Sequence, residues 1–235
     1  MSRFQTVMTP KTFSLYRRPN GREIALFGDD HGIKNGQDGT SISITKFIKK
    51  RLAENPNLHI YGEIGKGSSI YPESENKELE RLRSLMKDKK HKNKDRIHDI
   101  DIRFRNRVIS QDLFDDEDPE SYVDVANRVS DYIEQTAPEI MPEFRSTEDY
   151  IEEELLPEAT SEDLSVIKET YMRPLLDAEA VRIIRDNPDQ AGDMLFYVGD
   201  AHRESIETNF LENHPEIAIP IHSSNATEDV PVSLN

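Results

Sequence analysis

The chain has 235 residues, with 30 Lys and Arg against 46 Asp and Glu, a formal net charge of −16 and no cysteine. Disulfides, thiolate metal sites and cysteine nucleophiles are thereby excluded, and a charge so negative repels phosphate backbones and argues against broad nucleic-acid binding. Mean hydropathy is −0.73, no run approaches the ~18 apolar residues of a membrane span, and the opening MSRFQTVMTPKTFSLYRR has no apolar signal core, so the expectation is a cytoplasmic α/β protein.

In chain order, FSLYRRPNGREIALF (13–27) reads as a hairpin turning at Pro19-Asn20-Gly21. Its second arm, EIALF (23–27), is continuously apolar, as a buried strand is. Ile44, Phe47, Ile48 and Leu52 recur at helical spacing within 40–56, and LHIYGEIG (58–65) is the next strand. Strand, helix and strand make a βαβ unit with a parallel pair. A helix is predicted over 73–90, with Leu79, Leu82 and Met86 on one stripe, overlapping a basic run at 87–96 that reads as a solvated loop. The alternation of RIHDIDIRFRN (96–106) predicts a strand with His98, Ile100, Ile102 and Phe104 on one face and Asp99, Asp101, Arg103 and Arg105 on the other. A helix is expected over 119–138, a loop over 137–150, and a long helix over 161–188 that Pro174 kinks or splits. MLFYVG (194–199) is a third buried strand, followed by a short helix over 203–215 and a last strand over 216–221. The expected organisation is one α/β domain over 1–222 with a mainly parallel sheet flanked by helices. About 107–190 is a helical, acidic elaboration within it, and 223–235 is a flexible tail.

Ligands of open α/β sheets bind outside the carboxyl ends of parallel strands. Three predicted strands carry polar residues there: Gly28-Asp29-Asp30-His31-Gly32, Gly62-Glu63, and Gly199-Asp200-Ala201-His202. Two imidazoles and several carboxylates then converge on one edge of the sheet. That donor set suits a divalent cation of the Mn, Zn or Co kind, which would lower the pKa of a bound water. His31, Glu63, His202, Asp29 and Asp200 are the candidate metal ligands. Glu63, Asp30 and Arg103 are the candidate catalytic residues, with Arg103 or Arg105 facing developing negative charge. His98 and Asp99 are candidate extra ligands or proton carriers.

At these residues the chain resembles the TraB/PrgY/Tiki family, and more loosely the ChaN- and erythromycin-esterase-like hydrolases. The pattern is Gly-x-x-His after a strand (Gly28 to His31), a Glu after a later strand (Glu63), an Arg (Arg103 or Arg105) and a late Gly-x-x-His (Gly199 to His202). The resemblance implies a metal-dependent hydrolase, peptidase-like in one branch, acting on a small-molecule or peptide substrate. GDDHG (28–32) is also similar to the opening motif of calcineurin-like metallophosphoesterases, although that family's later motifs are absent. The remaining alternative is a non-catalytic, partner-binding protein that keeps the fold. GEIGKGSS (62–69) lacks phosphate-loop spacing, and no Gly-x-Ser-x-Gly elbow occurs.

Overall fold

A computed structural model describes residues 4–5, 7–8, 10–29, 42–63, 84, 94–103, 108–160, 163–187, 192–224 and 230–231. Its centre is a six-stranded mixed sheet. The strands are β1 Pro10–Arg17, β2 Glu23–Asp29, β3 His59–Gly62, β4 Ile97–Asp99, β5 Met194–Gly199 and β6 Ile219–Ser224, in the spatial order β4-β3-β5-β2-β1-β6. β4, β3, β5 and β2 run parallel, and β1 and β6 add an antiparallel edge beside β2. The β1–β2 hairpin closes at the predicted turn. Gly21 takes φ +81°, a left-handed conformation that costs glycine little, and its N–H donates to the Arg18 carbonyl at 2.9 Å.

The apolar runs are continuous because both faces of the sheet are covered, so alternate side chains enter different apolar layers. On one face, Phe13, Ala25, Phe27, Ile60, Leu195 and Tyr197 pack with Ile44, Phe47, Ile48 and Leu52 of helix α1, Ile44–Glu54. On the other, Tyr16, Ile24, Leu26, Tyr61, Phe196 and Val198 meet a thicker helical layer. That layer holds α2 Gln111–Phe114, α3 Ser121–Thr136, α4 Met141–Tyr150, α5 Leu164–Met172, α6 Pro174–Asp186 and α7 Asp200–Ile206. Among the described residues no helix is long and apolar enough to cross a membrane.

Pro174 splits the long helix as expected, since α5 ends at Met172 and α6 starts at Pro174. The segment 137–150 is not a loop. Pro138 and Pro142 occupy the first turns of a 3₁₀ turn (Pro138–Ile140) and of α4, where a proline lacks no needed N–H. The strand expected over 96–106 ends at Asp99. Asp99 Oδ1 accepts from the Asp101 N–H (3.1 Å) and Asp101 Oδ1 from the Arg103 N–H (3.2 Å), so aspartate side chains take over from the ladder and bend the backbone. The helix expected over 73–90 lies outside the described residues, apart from Ser84, as does most of the basic run. β6 continues to Ser224, and Val230–Pro231 pairs antiparallel with Phe4–Gln5.

The acidic region is bolted together by a buried cation. Lys168 on α5 is fully buried, and its ammonium donates to the carbonyls of Leu113 (3.0 Å), Phe114 (3.1 Å) and Asp116 (2.6 Å) just where α2 ends. Three protons meet three acceptors. Lys168→Met keeps the volume but orphans the carbonyls, and is expected to destabilise the protein by about 2–3 kcal/mol. Urea unfolding checks this, and a change within about 0.5 kcal/mol, typical of a surface position, would remove the clamp from the account.

Candidate active site

The parallel register brings the strand ends level. Asp29 pairs with Gly199, and Gly62 pairs with both Tyr197 and Asp99. Glu63, the first residue past β3, continues the ladder with its N–H on the Tyr197 carbonyl at 3.0 Å. It lies two residues beyond Tyr61 and so shares that residue's face, toward the helical layer. Its carboxylate is buried and held at both oxygens. Oε2 accepts from the Gly199 N–H (3.0 Å) and Oε1 from Arg103 Nη2 (2.6 Å).

Arg103 is 3% exposed, and its Nε and Nη2 donate in parallel to Asp101 Oδ1 and Oδ2, both at 2.9 Å. Asp101, Arg103 and Glu63 form a buried triad in which one cation stands between two anions. A planar guanidinium matches a carboxylate in this bidentate way, where an ammonium would not.

His202 arrives from α7. Its Nδ1 is 2.8 Å from Asp177 Oδ1 on α6, and its Nε2 is 3.9 Å from Glu63 Oε1. The carboxylate fixes the ring and directs Nε2 toward Glu63. Burial pushes the imidazole toward neutrality, but the Asp177 carboxylate, with Glu63, outweighs it and raises the His202 pKa. Asp177 is itself raised, chiefly by burial. Glu143 on α4 is raised by its own burial and by the charge of Asp177.

The fold therefore unites three of the residues read from the sequence, Glu63, Arg103 and His202. Asp29 shares the face of Phe27, on the α1 side of the sheet, and its Oδ2 accepts from the Tyr197 hydroxyl at 2.5 Å. Asp200 Oδ1 accepts from the Thr12 hydroxyl and from Arg203 Nε (3.0 Å). Asp30, His31 and Arg105 lie outside the described residues. His98 is not at the cluster. It sits 3.0 Å from His59, stacks on Tyr61 with ring centroids 5.0 Å apart, and its pKa is lowered by burial. Asp99 serves the turn after β4.

Among the described residues no set of three His, Asp or Glu side chains is disposed to hold one ion. The two donors that do converge are His202 Nε2 and Glu63 Oε1, and the second already carries the Arg103 guanidinium.

Sequence reasoning missed Asp177 and the clamping role of Asp101. Asp177 had a signal. It stands in PLLDAEAV (174–181), a helical stretch that is apolar almost all round, where a carboxylate must be buried and so must find a partner. Comparison with family models, curated proteins and solved structures finds no match to this chain.

Proposed function

We propose that the protein is a hydrolase that activates water between His202 and Glu63. One observation carries the reading: side chains from two distant segments, each anchored by its own buried partner, aim Nε2 and Oε1 at each other across 3.9 Å at the carboxyl edge of a parallel sheet. Asp177 keeps the Nδ1 side of the ring occupied, leaving Nε2 to take a proton from water and return it to the leaving group. Glu63, which cannot swing while Arg103 and the Gly199 N–H hold it, orients the water and offsets the charge on the imidazolium. Arg103 supplies positive charge beside the oxygen that becomes anionic in acyl transfer. In the metal-dependent form of this reading, Glu63 and His202, with His31 outside the described residues as the third expected ligand, would hold a divalent cation of the Mn, Zn or Co kind, which would supply a water of lowered pKa.

A metal-free form has its own observation. Arg103 Nη2 lies 2.6 Å from the oxygen a cation would use, and the raised pKa of His202 suits a group that alternates between base and acid.

The test is hydrolysis of a panel of chromogenic carboxylic esters, peptides and phosphate esters by protein dialysed against chelator, with and without Mn, Zn or Co, beside elemental analysis. Turnover of an ester or amide that falls about a hundredfold or more in His202→Gln supports the reading. Dependence on added ion selects the metal form, and indifference to chelator selects the metal-free one. Folded protein that hydrolyses nothing in any arm contradicts the reading and leaves the partner-binding alternative.

A further inference from the structure

Helix α7 carries His202 on one side and a polar seam on the other. At 100° per residue, Asp200, Arg203 and Glu207, the first residue past α7, share one face and His202 lies on the other side. The seam docks on β1, whose Thr12, Ser14 and Tyr16 all face it, interleaved with Phe13 and Leu15 on the other side of the sheet. Arg203 is at its centre. Its Nε donates to Asp200 Oδ1 (3.0 Å), and its Nη1 donates to Ser14 Oγ (3.3 Å) and to Glu207 Oε2. Tyr16 donates its hydroxyl proton to Glu207 Oε1 (3.1 Å), and Thr12 donates to Asp200 Oδ1. The Arg203 and Glu207 side chains are 11% and 10% exposed, so the seam is largely screened from water.

Gly28 makes this approach possible. A Cβ there would lie 2.3 Å from Thr12 Oγ1 and 2.5 Å from Asp200 Oδ1, the two atoms that hydrogen-bond each other. The glycine of the first Gly-Asp-x-His thus makes room for the aspartate of the second.

We propose that Arg203 is a positioning residue: by locking the Asp200/Glu207 face of α7 onto Thr12, Ser14 and Tyr16 of β1, it sets the roll of the helix and so holds the His202 ring between Asp177 and Glu63. The partners of Arg203 are Asp200, Ser14 and Glu207, and those of the His202 ring are Asp177 and Glu63, so the role is exerted through the helix. The purpose of the device rests on the hydrolytic reading; its existence does not.

The test is the hydrogen-bonded Nδ1 proton of His202, observed by NMR in substrate-free full-length protein. In wild type it is expected to give a slowly exchanging, low-field resonance, since Nδ1 lies 2.8 Å from Asp177 Oδ1. Arg203→Met is expected to raise its exchange rate about tenfold or more, or broaden it away. Arg203→Lys, which keeps the charge but not the planar fork of donors, is expected to restore it in part. Tyr16→Phe keeps the ring, removes only the hydroxyl on Glu207, and is expected to move the resonance in the same direction by less. Arg182→Met, which breaks a comparable ion pair with Glu179 on α6 (2.7 Å), is the control and leaves the resonance in place. If the resonance persists unchanged in both Arg203→Met and Tyr16→Phe, or if Arg182→Met loses it equally, the positioning role is overturned. No substrate enters the measurement, so its failure is distinct from failure of the hydrolysis assay.

Discussion

Arg103→Met is expected to destabilise the fold by about 3–5 kcal/mol, the cost of leaving buried charges without their partner. The guanidinium is 3% exposed and satisfies Asp101 through two hydrogen bonds and Glu63 through one. Methionine fills much of the space and pairs with neither carboxylate. Two anions then face each other in a site largely closed to water, with neither given a new cation. Urea unfolding checks the size of the loss. Arg145→Met sets the scale for an exposed pair: that side chain is 61% exposed beside Glu148, and its removal is expected to cost under about 1 kcal/mol. An Arg103→Met deficit no larger than that of Arg145→Met would mean that the buried triad does not form.

The second large effect belongs to Asp177→Asn. The amide keeps the shape and removes the charge that holds His202 above its ordinary pKa. Burial, which opposes that charge, is left in control, and the imidazole is expected to titrate below 6.5. In the wild type, a raised His202 contributes stability that is fully present below pH 6.5 and is lost as pH rises through the folded pKa. In the variant, a lowered His202 contributes stability that is present above pH 6.5 and lost as pH falls. Wild type and variant therefore slope in opposite directions around neutrality, and the stability gap between them narrows as pH rises. Hydrolysis is expected to fall about 10²–10⁴-fold, because the amide also favours the wrong tautomer of the ring. The histidine titration followed by NMR, beside unfolding at pH 5.5 and 8, decides the matter. An unmoved His202 pKa would remove Asp177 from the site.

The strands were legible because their residues must satisfy two apolar layers at once. IALF (24–27) and MLFYV (194–198) have no charged member before the glycine that follows each run, and the polar residues after those glycines lie at strand ends that the parallel register brings level. Glu63 and His202 could be read from this rule alone, whereas Arg103 rests on the polar face of the 96–106 alternation, which offers Arg105 equally. What stayed hidden depends on contacts distant in sequence. Asp101 and Arg103 looked like the polar face of a strand, yet they are 3% exposed, because they are buried against Glu63, 40 positions earlier for Arg103. Asp200 looked like a metal ligand beside His202, but the helix turns the two apart and gives Asp200 to Thr12. The prolines at 138 and 142 read as breakers, since composition does not reveal whether a proline begins a helix or ends one.

The most direct measurement of the central claim is a double-mutant cycle on stability at pH 6 with Glu63→Gln, His202→Gln and the double variant. Side chains in one buried network couple by about 0.5–3 kcal/mol, and independent sites add within about 0.3–0.5 kcal/mol. Convergence of the two at 3.9 Å predicts coupling of about 1 kcal/mol or more. Strict additivity would place the imidazole and the carboxylate apart and contradict the site.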